Sequence, residues 1–327
     1  MKKISYPIFF LGNQYKKLRM WQSPFRRKLH KFLFKLIAHF SGRNLIASKI
    51  GSISIEGDTN KCLWNFEKCR REMEENGFYF FSSNPDAFDA HHNQVIKRAN
   101  KIISNNLEKI SASPTKNYLH RVRDIEKDDM AFFYNYFTNQ EYLKLAALYL
   151  NDMPLISELK LLVSPSFSSK AMNSLQGSQL FHSDFDDERI LKVFIFLNDV
   201  DESSGPLQAI RSRVSKKLMK ACNYRWGSSG LSHNDNIASE IDPNNIKSFI
   251  GPSGSICFID SVNCLHRGSR NPTRERRILY ASYTTRTSFR YPPLNWIGFL
   301  PKTNTVSSPL LKLDPQEMFL NNHALNR

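Results

Sequence analysis

The sequence predicts a mainly β fold with flanking helices, an α+β arrangement in which antiparallel strands form a sandwich or a barrel. Between about 155 and 285, short apolar stretches alternate with segments rich in Gly, Pro, Ser and Asn, which is the pattern of short strands joined by turns. These stretches follow one another without the intervening helices of a parallel sheet. Upstream of about 151, apolar residues instead recur at helical spacing, so helices are expected to pack outside the strands.

The first predicted helix lies in a basic N-terminal segment, at residues 23–41. Ser23 is a suitable N-cap, Pro24 suits the first turn, and Gly42 can end the helix. Its apolar stripe consists of Phe25, Leu29, Phe32, Leu33, Leu36, Ile37 and Phe40. Either this stripe packs on the body and the basic face is solvated, or the helix contacts an anionic membrane surface or an acidic partner.

Positive charge is concentrated in that segment. Of the 46 Lys and Arg residues, twelve lie in residues 1–50, which contain no Asp or Glu. The other 277 residues therefore hold 34 basic and all 30 acidic side chains. This near balance, without aromatic residues interleaved among basic ones, disfavours nucleic acid as a partner.

Two further helices and four strands follow in order. The helices are predicted at Asp86 to Ile110 and at Asn139 to Asn151. The strands are predicted at Leu159 to Val163, Ile190 to Leu197, Ser255 to Ile259 and Ile278 to Tyr283. These elements divide the chain into a basic extension (1–55), a mostly helical or irregular segment packed on the core (56–135), a strand-rich core (136–290) and a tail (291–327).

The chain is expected to be cytoplasmic. It contains no run of the roughly 20 apolar residues that cross a bilayer, and the apolar stretch around Pro7 is too short for a cleaved signal. Five cysteines, an odd number without a C-x-x-C spacing, fit a reducing compartment. Cys257 and Cys264 are expected to act as small apolar residues. Contact through residues 23–41 would make the protein peripheral to a membrane.

Three side chains from two distant stretches form a candidate metal site. His182 and Asp184 precede one apolar strand, and His266 follows another, 82 residues after Asp184. Residues i and i+2 of a strand project from the same face, so His182 and Asp184 can hold one ion together. Two imidazoles and one carboxylate are the ligands of mononuclear non-haem iron, which keeps other coordination positions open. An H-x-D pair also arises by chance, in which case His182 is an ordinary core or surface histidine.

The residues around these positions extend the pattern. The strand after His182-Ser183-Asp184 ends in Leu197-Asn198-Asp199, followed by Gly205-Pro206-Leu207-Gln208-Ala209-Ile210. Gly254-Ser255-Ile256-Cys257-Phe258 precedes His266-Arg267-Gly268-Ser269-Arg270-Asn271, and Arg277 lies eleven residues after His266. In this combination, over about 139–285, the chain resembles the phytanoyl-CoA dioxygenase family of Fe(II)- and 2-oxoglutarate-dependent oxygenases.

The resemblance implies a double-stranded β-helix, also called a jelly roll or cupin-like fold, for residues 136–290. It also implies Fe(II), 2-oxoglutarate and dioxygen, with His182, Asp184 and His266 as the catalytic metal ligands. Hydroxylation of a substrate C–H bond then accompanies release of succinate and carbon dioxide. Asp184 retains a carboxylate where Gly or Ala would leave room for a halide, so hydroxylation is favoured over halogenation.

Arg277 matches the family's anchor for the distal carboxylate of 2-oxoglutarate. A guanidinium suits that role because it pairs with a carboxylate through two N–H groups. Arg274 and Arg276 are competitors, and Arg276 lies on the opposite face of the same predicted strand. Strand alternation does not decide between them, whereas the spacing from His266 favours Arg277.

Other positions carry two interpretations each. Phe194 matches an aromatic residue of the cosubstrate pocket or belongs to the core, and Ser269 shapes the cofactor-binding loop or a plain turn. The family's P-G-S-H turn is here Arg211-Ser212-Arg213-Val214, where two arginines either receive an anionic group or remain surface charges. The expected substrate is a small or lipid-like molecule. The alternatives are an oxygenase acting on protein or nucleic acid and a non-catalytic metal-binding jelly-roll protein.

Overall fold

The computed structural model describes residues 64–82, 88–108, 118–151, 154–166, 175, 177–184, 187–222, 224, 241–270 and 272–284. The predicted basic helix at 23–41 and the predicted tail at 291–327 lie outside the described residues. Asn271 and Cys62 also lie outside them.

Five α-helices are present among the described residues: α1 Phe66–Asn76, α2 Ala90–Asn105, α3 Lys127–Phe137, α4 Gln140–Leu150 and α5 Ser212–Ala221. Short polar side chains begin three of them, because Asn65, Asp89 and Asn139 each accept a hydrogen bond from a backbone N–H of the first turn. Gly77 ends α1 with φ of 80°, a conformation that glycine adopts without a steric penalty. The helices predicted around α2 and α4 are thereby confirmed.

Nine strands, counted over the described ranges, form two sheets. They are β1 Phe78–Phe81, β2 His120–Arg121, β3 Leu155–Ser164, β4 Leu191–Phe196, β5 Gln208–Ile210, β6 Ile246–Ser248, β7 Ile256–Ile259, β8 His266–Arg267 and β9 Arg276–Thr284. The major sheet has the order β1-β7-β4-β9-β3-β2, and the minor sheet has the order β6-β5-β8. Every pairing is antiparallel. The predicted fold class, antiparallel sheets with flanking helices, is confirmed.

The major sheet separates two differently composed sides. Alternate residues of β3, β4 and β9, such as Leu161, Val193 and Leu279, pack against the helices in the largest apolar cluster. The opposite side faces the minor sheet and carries residues that include Phe196, Cys257 and Ile259. We call this second side the inner face. Three charged residues, Lys160, Lys192 and Arg276, interrupt the otherwise apolar inner face.

Two strands of the major sheet come from the segment before residue 136. β1 pairs with β7 and β2 pairs with β3, so this segment supplies strands to the sheet in addition to helices. The described cysteines, Cys69, Cys222, Cys257 and Cys264, are free thiols, and Cys257 and Cys264 are fully buried. Among the described residues, no helix combines the length and apolar character that a membrane crossing requires.

Candidate metal centre and carboxylate site

His182 and His266 face each other across an isolated antiparallel bridge. The backbone N–H of His182 donates to the carbonyl of His266 at 3.0 Å, and the reverse bond measures 2.9 Å. Directly opposed residues of an antiparallel pair project to the same side. The two imidazoles therefore lie together, with ring centroids 4.1 Å apart, although 84 positions separate the residues in the sequence.

Backbone carbonyls determine which nitrogen each imidazole offers. The Nδ1 atom of His182 lies 2.9 Å from the carbonyl oxygen of Leu180, and that of His266 lies 3.0 Å from the carbonyl oxygen of Cys264. A carbonyl can only accept a hydrogen bond, so in both rings Nδ1 carries the hydrogen. In the neutral form of such a ring the Nε2 atom keeps its lone pair, which is the form in which imidazole binds a metal.

Asp184 completes the set. Its backbone N–H donates to the carbonyl of Ser261 at 2.9 Å. This bond holds the backbone of Asp184 in place two residues after His182. Its Oδ2 atom accepts hydrogen bonds from Lys192 Nζ at 2.6 Å and from Ser261 Oγ at 2.5 Å. One ligand atom from each of His182, Asp184 and His266 lies within 4.8 Å of the others. The predicted metal-binding trio is thus brought together in space.

The charge states of these groups suit a divalent cation. Burial raises the pKa of Asp184, but Lys192 and the two imidazoles lower it more strongly, so its net pKa lies well below the usual range. Burial, together with neighbouring His182, lowers the pKa of His266 to about 3 despite the opposing effect of Asp184. At neutral pH the trio therefore presents a carboxylate and a neutral His266 imidazole, which are the forms that coordinate metals.

Arg276 points into the inner face from the first residue of β9, where it is 4% exposed. Its Nη2 atom donates to Ser269 Oγ at 2.9 Å and to Ser164 Oγ at 3.4 Å. Its Nε and Nη1 atoms are buried and have no hydrogen-bond partner within the part of the chain that is described. Burial lowers the pKa of Arg276 to about 10, so the guanidinium remains positively charged at neutral pH. It can pair with a carboxylate.

Arg277, the residue favoured by its spacing from His266, lies elsewhere. Its Nε atom donates to Glu275 Oε1 at 2.5 Å, and its Nη1 atom donates to Asn100 of α2 at 3.3 Å. Successive residues of a strand project to opposite faces, and β9 pairs Arg276 with Ser164 and Arg277 with Val163. The guanidinium on the inner face therefore belongs to Arg276, and that of Arg277 lies on the helix side.

Ser269 and Phe194 both lie at the inner face. Ser269 is 2% exposed, adopts a φ of 56°, and shares a 2.7 Å hydrogen bond with Ser164 in addition to its contact with Arg276. Its hydroxyl accepts a hydrogen bond from the guanidinium of Arg276 and so helps to orient that group. Phe194 stacks on Tyr280 with ring centroids 5.2 Å apart and an interplanar angle of 18°. It lines the inner face beside the second cluster of apolar residues.

A further polar group on the inner face was not anticipated from the sequence. Lys160 Nζ lies 2.7 Å from Glu158 Oε1, and the Tyr280 hydroxyl donates to Glu158 Oε2. The ammonium groups of Lys160 and Lys192 lie 5.5 Å and 5.7 Å from the centroid of the Tyr280 ring. We call Glu158, Lys160, Lys192 and Tyr280 the lysine cluster. The available signal was Lys192, a charged residue in the middle of the apolar stretch Leu191–Phe196.

Arg211 and Arg213 do not belong to this inner surface. Both are exposed, at the start of α5. Arg211 instead lines a cleft of about 330 Å³ together with Lys68 and Lys247. The ammonium group that contacts Asp184 belongs instead to Lys192 of β4.

Comparison with known proteins gives low similarity throughout. No protein-family model matches the sequence, and no curated protein matches it. Among solved structures, EctD from S. alaskensis with 2-oxoglutarate and 5-hydroxyectoine is 15% identical, with 71% of this chain and 80% of that chain covered and a TM-score of 0.43. HygX from Streptomyces hygroscopicus with nickel, 2-oxoglutarate and hygromycin B is 12% identical, with 67% and 87% covered and a TM-score of 0.46.

A third similar structure is the non-haem α-ketoglutarate-dependent epimerase SnoN from nogalamycin biosynthesis. It is 14% identical, with 73% of this chain and 91% of that chain covered and a TM-score of 0.41. At these TM-scores the likeness assigns neither a ligand nor a reaction to this chain. The chemistry of its own site must do so.

Proposed function

We propose that this protein is an Fe(II)- and 2-oxoglutarate-dependent dioxygenase that hydroxylates a C–H bond of a small or lipid-like molecule, with release of succinate and carbon dioxide. The observation that supports this most strongly is the combination of two features in one interior. A His182, Asp184 and His266 ligand set lies on one side, and the buried guanidinium of Arg276 lies at the inner face of the opposing sheet.

The ligand chemistry fits ferrous iron. Two imidazole nitrogens and one carboxylate oxygen form the donor set of non-haem iron oxygenases, which leaves coordination positions open for other molecules. When bound, Fe(II) and 2-oxoglutarate would supply the oxidation of a C–H bond by dioxygen. The chain itself contributes His182 and His266 through Nε2 and Asp184 through its carboxylate, each oriented by the backbone and side-chain hydrogen bonds described above.

Arg276 fits a dicarboxylate cosubstrate. Each buried donor left without a partner costs about 1–3 kcal/mol, and Nε and Nη1 of Arg276 have none among the described residues. A carboxylate that accepts from both atoms would remove this cost and match the planar fork of the guanidinium. Ser164 and Ser269 hold the third nitrogen, Nη2, so the fork has a defined orientation before the carboxylate arrives.

The decisive experiment combines spectroscopy with turnover. Under anaerobic conditions, Fe(II) and 2-oxoglutarate added to the wild-type protein are expected to produce a weak visible metal-to-cosubstrate charge-transfer band. Succinate release is then followed in air with a metabolite and lipid extract, for the wild type and for His182→Ala and Arg276→Ala. Loss of the band in His182→Ala and a raised 2-oxoglutarate requirement in Arg276→Ala are the expected results.

One observation favours a second candidate, a non-catalytic jelly-roll binding protein. Lys192 Nζ lies 2.6 Å from Asp184 Oδ2, and an ammonium at that distance competes electrostatically with a metal ion for the carboxylate. A well-folded wild-type protein that gives no band with Fe(II) and 2-oxoglutarate would favour this candidate over the dioxygenase.

A further inference from the structure

The lysine cluster occupies one end of the inner face, and Arg276 occupies the other. On β9, Tyr280 and Arg276 are four residues apart, or about 13 Å at roughly 3.3 Å per residue. The pairing of β3 and β4 with β9 places Lys160 opposite Tyr280 and Lys192 opposite Ser282. A dicarboxylate that joins the metal to Arg276 therefore leaves the lysine end of the same face for another molecule.

The cluster is well ordered by its own contacts. Glu158 is 7% exposed and accepts hydrogen bonds from both Lys160 and Tyr280. Tyr280 in turn stacks on Phe194, and both ammonium groups lie within 5.7 Å of the centroid of its ring. A network in which each polar group has partners is rigid enough to select among ligands.

The charge at this end of the face is positive when a metal is bound. Lys160 and Lys192 are balanced by Glu158 and Asp184, with which they pair, and Arg121 lies close enough to add a repulsive effect on Lys160. Burial lowers the pKa of Lys160, as do Arg121 and Lys192, while Glu158 opposes the change. A divalent metal bound at Asp184 would add further positive charge next to Lys192. An anion at this end is therefore electrostatically favoured.

We propose that Lys160 and Lys192 bind an anionic group of the primary substrate, a carboxylate or a phosphate. This inference rests on the proposed function, because it assigns 2-oxoglutarate to Arg276 and the remaining end of the inner face to the molecule that is oxidised. Lys192 contacts Asp184, so the anion is held beside the metal. The C–H bond to be oxidised is then expected a few bonds away from the anionic group.

The test uses protein loaded with Ni(II) and saturating 2-oxoglutarate, so that Arg276 is occupied before the probe is added. Butyrate, butyl phosphate and butyramide are titrated by calorimetry. The wild type is expected to bind one or both anions about tenfold more tightly than the amide, which is the effect of one charge-assisted hydrogen bond. The butyrate and butyl phosphate arms distinguish a carboxylate from a phosphate.

Variants with opposite charge changes separate a binding role from a structural one. Lys160→Met is expected to remove the preference for anions, Lys160→Arg to retain most of it, and Glu158→Gln to strengthen it severalfold because a negative charge is lost. Lys101→Met, at an exposed position of α2, is the control and is expected to leave the preference unchanged. Lys160→Met and Glu158→Gln would shift anion affinity in the same direction if the cluster only stabilised the fold.

The outcome also separates this inference from the proposed function. If the charge-transfer band forms but wild-type protein binds the anions no better than butyramide, the lysine assignment is wrong and the dioxygenase proposal stands. If the band does not form, both fail together.

Discussion

Arg276 and Arg277 are adjacent in the sequence, yet their guanidinium groups lie on opposite faces of β9. Arg276 reaches Ser269 and Ser164 on the inner face, whereas Arg277 is held by Glu275 and by Asn100 on the helix side. A shift of one residue in strand register would exchange them. The pairing of β9 with both β3 and β4 determines which arginine can meet a ligand.

This difference gives the first prediction. Arg276→Ala is expected to raise the KM for 2-oxoglutarate by about 10–100-fold, because the loss of a buried bidentate contact removes roughly 1.4–3 kcal/mol of binding. Arg277→Ala, the matched control, is expected to change that KM by less than about twofold, since its partners Glu275 and Asn100 lie on the helix side of β9, away from the inner face. Succinate release measured against 2-oxoglutarate concentration checks both. The opposite ranking would show that Arg277, the residue that matches the family pattern, is the anchor.

Removal of one metal ligand is expected to abolish turnover. His182→Ala deletes one of three protein ligands, so metal affinity should fall by more than the roughly 10–100-fold that loss of an outer hydrogen bond costs. Calorimetric titration with Co(II) measures this affinity, and circular dichroism shows whether the variant is folded. His91→Ala, at an exposed position of α2, is the comparison. Unchanged Co(II) affinity in folded His182→Ala would remove His182 from the ligand set.

The hydroxyl of Ser269 is expected to matter for the cosubstrate and not for the metal. Ser269→Ala removes the 2.9 Å contact with Arg276 Nη2, which should weaken 2-oxoglutarate binding severalfold, since such a hydrogen bond contributes about 1–2 kcal/mol. Ser269→Gly removes the same hydroxyl but suits the positive φ of 56° better. Equal 2-oxoglutarate affinities in the two variants, both below wild type, would assign the effect to the hydroxyl. Wild-type affinity in the glycine variant would show that 2-oxoglutarate binding does not require the hydroxyl.

His92 is expected to make stability depend on pH. Burial lowers its pKa below the ordinary value of 6.5, despite opposing effects of Gly254 and Asp89. Its Nε2 atom lies 2.9 Å from the carbonyl of Gly254 and its Nδ1 atom lies 2.5 Å from the Tyr136 hydroxyl. The carbonyl requires a hydrogen on Nε2, so Nδ1 is the acceptor. Protonation of Nδ1 would make it a donor, so the Tyr136 hydroxyl would have to accept this bond instead of donating it.

The sign follows from which state binds the proton. As the pH falls below 6.5, His92 takes up a proton in the unfolded chain before it does so in the folded chain. The contribution of neutral, buried His92 to the free energy of unfolding is therefore fully present above pH 6.5 and decreases as the pH falls toward the pKa of the folded state. Thermal unfolding of the wild type and of His92→Gln between pH 7.5 and 5.5 measures this. The wild type should lose more stability over this interval than the variant. Equal losses would mean that other groups account for the acid sensitivity.

Long, regular elements could be predicted because their patterns are local. The predicted strands at 190–197, 255–259 and 278–283 correspond to β4, β7 and β9, and Asn139 marks the start of α4 as its side chain predicts. β1 and β2 could not be predicted in this way. β1 is four residues long and β2 only two, so each is specified by the neighbouring strand with which it pairs, β7 or β3.

The candidate site also contains residues that could be predicted from local sequence patterns and residues that could not. His182 and Asp184 could be paired from their spacing, and His266 from the motif that surrounds it. The lysine cluster could not be assembled, because Glu158 and Lys160, Lys192 and Tyr280 belong to three strands that are distant in sequence and adjacent in the sheet. The one local sign was Lys192, a charged residue within an apolar stretch, and it does not indicate which residues lie beside it.

By itself, then, the sequence determined the strand-rich fold class, the helices with clear caps, and the three side chains that can hold a metal ion. Each of these depends on residues within a few positions of one another or on a spacing repeated along a strand. The tertiary structure decided which arginine enters the interior and which cations accompany it. Those choices depend on strand register, since a shift of one residue turns every side chain of a strand to the other face.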